Sequence, residues 1–289
     1  MGQGLASLRL AIAETASENE LLARHTTFRI GGPADLWVEA KQISDLINWV
    51  GQARRNAVPV FVLGNGSNVL VLDKGIRGLV IENHCDGVEL KLIDPDRAVL
   101  HAESGASLPL VANRLARQGW SGLEWAIGIP GTIGGAVVGN AGAHGSSMAD
   151  HLLVAAVLDA HGTVHELPKT DLGFGYRQSR FKHSRREIIL TADFELNRTD
   201  SQGCIARMNE YTAHRRRTQP TEASVGSMFK NPPGDFAGRL IELAGLKETR
   251  VGNVEVSPVH ANFFVNHGGA TARDVMELIE TVRRRVREK

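Results

Sequence analysis

Sixteen consecutive residues leave the main chain almost bare: Ile127-Gly128-Ile129-Pro130-Gly131-Thr132-Ile133-Gly134-Gly135-Ala136-Val137-Val138-Gly139-Asn140-Ala141-Gly142. Glycine reaches φ > 0 and places no side chain between backbone and ligand, at an entropic cost that needs a reason. Successive free N–H groups form an anion-binding nest. The segment therefore suggests a phosphate-bearing cofactor lying directly on the backbone. A tight turn packed on a neighbouring strand is the plainer alternative. A second cluster, Gly64-Asn65-Gly66-Ser67-Asn68, stands between two apolar runs, 58–63 and 69–72, that both read as strands. It lacks the third glycine and the following helix of a G-x-G-x-x-G dinucleotide fingerprint. A strand–nest–strand phosphate loop is the expectation, with Asn65, Ser67 and Asn68 as added donors. A hairpin turn is the alternative.

Two polar clusters come later. Gly175-Tyr176-Arg177-Gln178-Ser179-Arg180-Phe181-Lys182 interleaves aromatics with cations, and arginine offers a planar fork for a carboxylate or phosphate. Gly226-Ser227-Met228-Phe229-Lys230-Asn231-Pro232 sets a hydroxyl just before a Lys–Asn pair. That serine is a proton donor, a hydrogen-bonding group or a turn former. No G-x-S-x-G elbow is present, which argues against a hydrolase nucleophile. Arg215-Arg216-Arg217 ends a helix-like stretch, as a solvated face or as cations complementing the helix dipole.

These groups need elements to position them. The 289 residues suffice for more than one domain, and the net charge of +1 carries no basic tract for a nucleic acid. Cys85 and Cys204 have no metal-ligand spacing and fit a reducing compartment, so no metal is expected. The N-terminus lacks the pattern of a signal peptide, and no apolar run is long enough to span a bilayer. A cytoplasmic monomer is the default. Strands are expected at 36–40, 58–63, 69–72, 79–82, 99–103, 152–159, 163–167, 188–196, 250–256 and 262–266. Ile43, Leu46, Ile47 and Val50 recur at helical spacing, with Ser44 near the start. A helix over 108–118 is capped by Ser107 and closed by Gly119. Two more are expected, at 236–244 and after Thr271, the last burying Val275, Leu278, Ile279, Val282 and Val286. The polar stretch 197–203 reads as a linker and domain boundary. The class is α+β.

The order of these clusters is specific. T-T-F-R-I-G-G-P-A is followed by G-N-G-S-N-V-L, I-P-G-T-I-G-G-A-V-V-G-N-A-G, G-Y-R-Q-S-R-F-K, G-S-M-F-K-N-P and H-A-N-F-F-V-N. Across nearly the whole chain this resembles the UDP-N-acetylenolpyruvoylglucosamine reductase family, in its shorter subtype. The resemblance implies a vanillyl-alcohol-oxidase/PCMH-type FAD-binding domain of two subdomains over 1–197, split near 80. A C-terminal α+β substrate domain over 198–289 would follow. It implies non-covalent FAD, NADPH as co-substrate, and UDP-N-acetylglucosamine enolpyruvate as substrate, in peptidoglycan precursor synthesis.

By the same resemblance, the FAD loops hold Gly64, Asn65, Gly66, Ser67 and Asn68, then Gly128, Pro130, Gly131, Thr132, Gly134, Gly135, Asn140 and Gly142. Arg177 matches the active-site arginine and Ser227 the proton donor. Tyr176, Arg215, Lys230 and Asn231 fall in substrate-lining motifs, with the register inside Arg215–Arg217 left open. The role of His260 and Asn262 is also open. The family pattern continues beyond the last helix into a strand with an assisting glutamate. This chain stops at Arg285-Val286-Arg287-Glu288-Lys289, so a missing natural C-terminus is the expectation. The alternatives are another FAD oxidoreductase of the same fold, or a UDP-sugar-binding flavoprotein made inactive by the missing glutamate.

Overall fold

A computed structural model describes residues 2–184 and 186–289. Contacts divide the chain into two units. The first comprises Met1–Leu8, Val38–Gly64 and Ile81–His214; the second comprises Arg9–Trp37, Asn65–Val80 and Arg215–Lys289. A four-stranded sheet takes the order Ser17–Glu18, Ala34–Ala40, Ile76–Asn83, Val60–Leu63, and the division passes through its two central strands.

The first unit is built on a larger sheet in the order Val164–Pro168, Leu152–Leu158, Ile188–Arg198, Arg97–Glu103, Val88–Leu92. Its neighbours pair antiparallel throughout, and Trp120–Ser121 joins the end of Ile188–Arg198. Period-two alternation explains the core face: Ala98, Leu100 and Ala102 are fully buried on one strand, Ala192, Phe194 and Leu196 on the next. The helix Leu108–Arg117 packs on this core through Leu108, Val111, Ala112 and Leu115, the i, i+3, i+4, i+7 stripe of an amphipathic helix. Ser107 stands at its N-cap, but the side chain makes no capping hydrogen bond.

The second unit gathers Phe28, Ile30, Val254, Val256 and Phe264 around the helix Ala272–Arg287, which buries Val275, Leu278 and Val282. Thr271 and Asp274 close that helix in a reciprocal capping box. Asn266 ties the unit together. Its amide donates to the carbonyl of Phe28 at 2.8 Å and its Oδ1 accepts from the Gly268 N–H at 2.8 Å.

Several elements differ from the expectations. Residues 69–72 are not a strand. The carbonyl of Leu72 accepts from the N–H groups of Gly32 (3.0 Å) and Gly75 (2.8 Å), so it closes a turn and leaves no ladder. The glycine-rich segment contains a helix, Ile133–Gly139. The stretch 197–203 is no free linker: Ile188–Arg198 ends within it and Ser201–Thr218 begins there, with the Asp200 carboxylate accepting from the Gly203 N–H at 2.8 Å. The strand expected over 250–256 is a hairpin, Arg250–Val251 and Val254–Val256. The helix Gly2–Ala11 and the strand Val88–Leu92 were not anticipated.

Two stability predictions follow from these packings. Asn266→Ala leaves the buried Phe28 carbonyl without its donor, and the exposed Gly268 N–H without its acceptor, and is expected to cost about 1–3 kcal/mol in urea unfolding; a loss within experimental error would show that the amide does not hold the unit. The second concerns Glu124, buried and hydrogen-bonded to Arg207 (2.6 Å), the Gly122 N–H (2.7 Å) and Ser121 (2.8 Å). Burial pushes its pKa up, but the Arg207 guanidinium and the other donors outweigh this and lower it from 4.5 to about 2. The unfolded chain therefore takes up this proton first. The stabilisation is complete above pH 4.5 and disappears as pH falls towards 2. Glu124→Gln should be less stable at neutral pH and show a shallower acid transition by circular dichroism.

Candidate active site

Within the first unit, Gly64 of the earlier glycine cluster meets the later one. A Cβ on Gly64, at the end of the strand Val60–Leu63, would come 2.6 Å from Thr132 Oγ1. Only a glycine lets that strand pass so close to Thr132. Gly66, in the second unit, sits at φ +59°, and a side chain there would overlap the carbonyl of His25.

The helix Ile133–Gly139 does not offer a free N-terminus. Its Ile133 N–H donates to the Ala106 carbonyl at 2.9 Å, Gly134 to the Ser104 carbonyl at 2.8 Å, and Gly135 to Thr132 Oγ1 at 3.3 Å. The anion-holding amides expected across 128–142 are therefore confined to the approach to the helix. Gly128 and Gly131 donate no backbone hydrogen bond among the described residues, and neither do Asn65, Gly66 and Asn68 in the earlier loop.

The other end of the same helix positions the arginine cluster. Asn140 caps it in the left-handed conformation, φ +42°. The Asn140 amide donates to the Gly175 carbonyl at 2.9 Å, and its Oδ1 accepts from the Ala149 N–H at 3.1 Å. Ser179 Oγ donates to the Val138 carbonyl at 2.7 Å. Between these anchors Gly175 and Gln178 exchange both backbone bonds at 3.1 Å, so Tyr176 and Arg177 are the two central residues of a tight turn. Arg177 has φ +53°, the place in such a turn that glycine normally takes. Its guanidinium donates to the Gly142 carbonyl at 2.6 Å and lies 5.8 Å from the Tyr176 ring, which is exposed.

In the second unit Ser227 is exposed and bridges to Phe263. Asn262, which is buried, fixes this segment: its Oδ1 accepts from the Phe229 N–H and its amide donates to the Phe229 carbonyl, both at 2.9 Å. Both ends of the Asn262 side chain are thus committed to the chain that carries Ser227. His260 Nδ1 accepts from the Asn262 N–H at 3.1 Å, and burial holds the His260 pKa down. Lys230 is exposed, and Asn231 Oδ1 accepts from the Ala237 N–H at 3.0 Å. Of the three arginines, Arg215 is half-buried while Arg216 and Arg217 are exposed. Burial lowers the Arg215 pKa, and no carboxylate pairs with it among the described residues. That contrast sets Arg215 apart from its two neighbours in burial. Asn262 and Ser179 were not identified as positioning groups from sequence.

Comparison with known proteins supplies the family. A model for the C-terminal domain of UDP-N-acetylenolpyruvoylglucosamine reductase matches residues 219–289, and an FAD binding domain model matches residues 34–168. A UDP-N-acetylenolpyruvoylglucosamine reductase of Rubrobacter xylanophilus is 47% identical over 276 residues, 95% of this chain and 91% of that relative. The chain belongs to the UDP-N-acetylenolpyruvoylglucosamine reductase family. The crystal structure of the reductase from Thermus caldophilus superposes with a TM-score of 0.82 at 39% identity, covering 92% of this chain and 94% of that one. A glucose dehydrogenase, Phl p 4.0202, reaches a TM-score of 0.52 at 15% identity over 68% of this chain and 44% of its own, a likeness of fold alone. The α+β flavin-binding architecture expected for the reductase family is therefore present.

The residues fit FAD. The two loops carry uncommitted N–H groups, and the Gly135 and Gly139 positions of the helix are bare. A Cβ on Gly135 would meet only Thr132 Oγ1, at 3.5 Å, and one on Gly139 nothing within 4 Å. Gly135→Ala should therefore leave the apoprotein's Tm unchanged or slightly raised, while weakening FAD binding roughly tenfold or more by titration. Unaltered FAD affinity would place the cofactor away from this turn.

Proposed function

We propose that this chain reduces UDP-N-acetylglucosamine enolpyruvate to UDP-N-acetylmuramate, a step of peptidoglycan precursor synthesis, with electrons from NADPH passed through non-covalent FAD. The observation that carries this reading is the 47% identity to a named reductase along 95% of the chain. Flavin binding is assigned to residues 1–197 and substrate binding to 198–289; the FAD binding domain match at 34–168 and the C-terminal domain match at 219–289 lie on either side of that boundary. A reaction drawing on NADPH and a nucleotide sugar belongs in the cytoplasm. Two buried free cysteines accord with that, and no described helix is long and apolar enough to cross a membrane. No nucleic acid partner is called for. Another FAD oxidoreductase of the same fold is not favoured, because the relatives at this identity carry the reductase name.

Bound FAD supplies the two-electron relay that takes hydride from NADPH and gives it to C3 of the enolpyruvyl group. Gly64, Asn65, Gly66, Ser67 and Asn68 would hold the cofactor with the segment from Gly128 to Gly142, chiefly through Gly128, Gly131 and the bare face at Gly135. Thr132 and Asn140 act mainly by fixing that segment. As C3 gains hydride, negative charge develops at C2 and spreads onto the carboxylate. Arg177 meets that carboxylate. Its left-handed turn and its bond to the Gly142 carbonyl hold the fork in place beforehand, so little reorganisation is needed as charge forms. Ser227 delivers the proton to C2 as general acid. A hydroxyl is a weak acid, and Lys230 beside it in sequence supplies positive charge that eases proton loss. Arg215 and Tyr176 bind the substrate's anionic and ring groups, and Asn231 supports the Ser227 segment.

The test separates the two half-reactions under anaerobic conditions. NADPH should bleach the flavin band, and UDP-N-acetylglucosamine enolpyruvate should restore it. Ser227→Ala should keep bleaching at the wild-type rate and slow restoration by about 10²-fold or more. Equal slowing of both steps would remove Ser227 from proton transfer. Bleaching without restoration in the wild-type chain would overturn the substrate assignment.

A further inference from the structure

The strand Val88–Leu92 is the edge of the larger sheet in the first unit. Its pairing with Arg97–Glu103 fixes which backbone groups it has to spare. The Gly87 carbonyl accepts from the Glu103 N–H at 2.8 Å, and the Ile93 N–H donates to the Arg97 carbonyl at 3.0 Å. In an antiparallel ladder hydrogen-bonded positions alternate. Residues 87, 89, 91 and 93 therefore face the neighbour, and the N–H and C=O groups of Val88, Leu90 and Leu92 point away from the sheet. These three form the non-hydrogen-bonded pairs of the ladder, opposite Ala102, Leu100 and Ala98.

The side chains of the same three residues lie on the core face, in register with Ala102, Leu100 and Ala98. The core thus runs out to the edge and stops uncovered. Leu92 is 66% exposed and the adjoining Ile93 60%. Leu90 and Leu92 line a groove of about 570 Å³ with Pro95, Gln118, Trp120 and Arg198. On the other face Glu89 and Lys91 alternate in sign and stand 3.4 Å apart. A lysine on an edge strand ordinarily discourages pairing with another chain. Here it has a counterpart.

We propose that this edge pairs with the same edge of a second copy of the chain, antiparallel about a twofold axis at Leu90. That register places Leu90 opposite Leu90, Val88 opposite Leu92, and each Glu89 opposite a Lys91. It uses the outward backbone groups of residues 88, 90 and 92 and extends the apolar face across the junction. A twofold interface must be self-complementary, and Val-Glu-Leu-Lys-Leu is so in charge about its central residue. Five residues a side fall well short of the roughly 800 Å² per partner of a standard interface. The association is accordingly weak and concentration-dependent, and it departs from the monomer expected from sequence.

Sedimentation velocity of the FAD-loaded full chain, from roughly 1 μM to 1 mM, tests it against charge variants at these exposed positions. Wild type should shift from monomer to dimer within that range. Glu89→Lys and Lys91→Glu each turn both cross-strand attractions into repulsions and should weaken dimerisation roughly tenfold to a hundredfold. The double swap, Glu89→Lys with Lys91→Glu, restores complementarity and should recover the wild-type constant. Circular dichroism and flavin content check that each variant is folded. A wild type that stays monomeric throughout overturns the proposal. So does a dimer indifferent to the single reversals, which would use another face, and so does a double swap that fails to recover.

Discussion

The short helix Ile133–Gly139 has no spare N–H at its start and is tied to the chain at its finish, and the geometry of the candidate site in the first unit depends on that. At its start Ile133, Gly134 and Gly135 donate to Ala106, Ser104 and Thr132. At its finish Asn140 takes the left-handed conformation and spends its side chain on Gly175 and Ala149. A seven-residue helix is too short to be stable alone, so these ties set its position. They also fix what it carries: the bare Gly135 and Gly139 surface, the loop before it, and the turn that presents Arg177.

This alters the physical account of phosphate binding. Helix N-termini bind anions because their first N–H groups lack partners. Here the chain itself satisfies them, and burying them unpaired would have cost about 1–3 kcal/mol each. Among the described residues the uncommitted amides lie in irregular backbone, at Gly128 and Gly131 and at Asn65, Gly66 and Asn68. Glycine has two separate uses in these segments. Gly64 and Gly134 allow parts of the protein to touch, since a Cβ on Gly134 would come 2.8 Å from the Ser104 side chain, whereas Gly135 and Gly139 leave a surface open.

Both glycine clusters and the arginine cluster stand out in the sequence by composition, but the tight turn at Gly175–Gln178 does not. Long alternating strands such as Ile188–Arg198 and the amphipathic stripe of Ala272–Arg287 were equally readable, each burying one face. The failures have particular causes. Glycine masked the helix Ile133–Gly139, since its stability comes from tertiary hydrogen bonds that propensity does not include. Residues 69–72 are apolar enough for a strand, yet the Leu72 carbonyl serves a turn. Val88–Leu92 alternates correctly but is short and charged, as an edge strand tends to be. The sequence left Asn262 open between substrate contact and strand-end packing, and the hydrogen bonds at both ends of its amide reveal a clamp on Phe229.

The two site arginines show how differently one side chain is held. Arg177 is fixed through the backbone: a left-handed φ that disfavours any residue with a Cβ, tolerated because Asn140 and Ser179 anchor the turn on either side. Its direction is set before any ligand arrives, and its bond to the Gly142 carbonyl uses one arm of the fork and leaves further N–H donors available. Arg215 is held by burial. Removing a guanidinium from water without a carboxylate to meet it is unfavourable, and the lowered pKa is the sign of that cost. The first arrangement fixes the direction of the guanidinium through the backbone, the second its surroundings through burial, which matches the separate roles proposed for the two arginines.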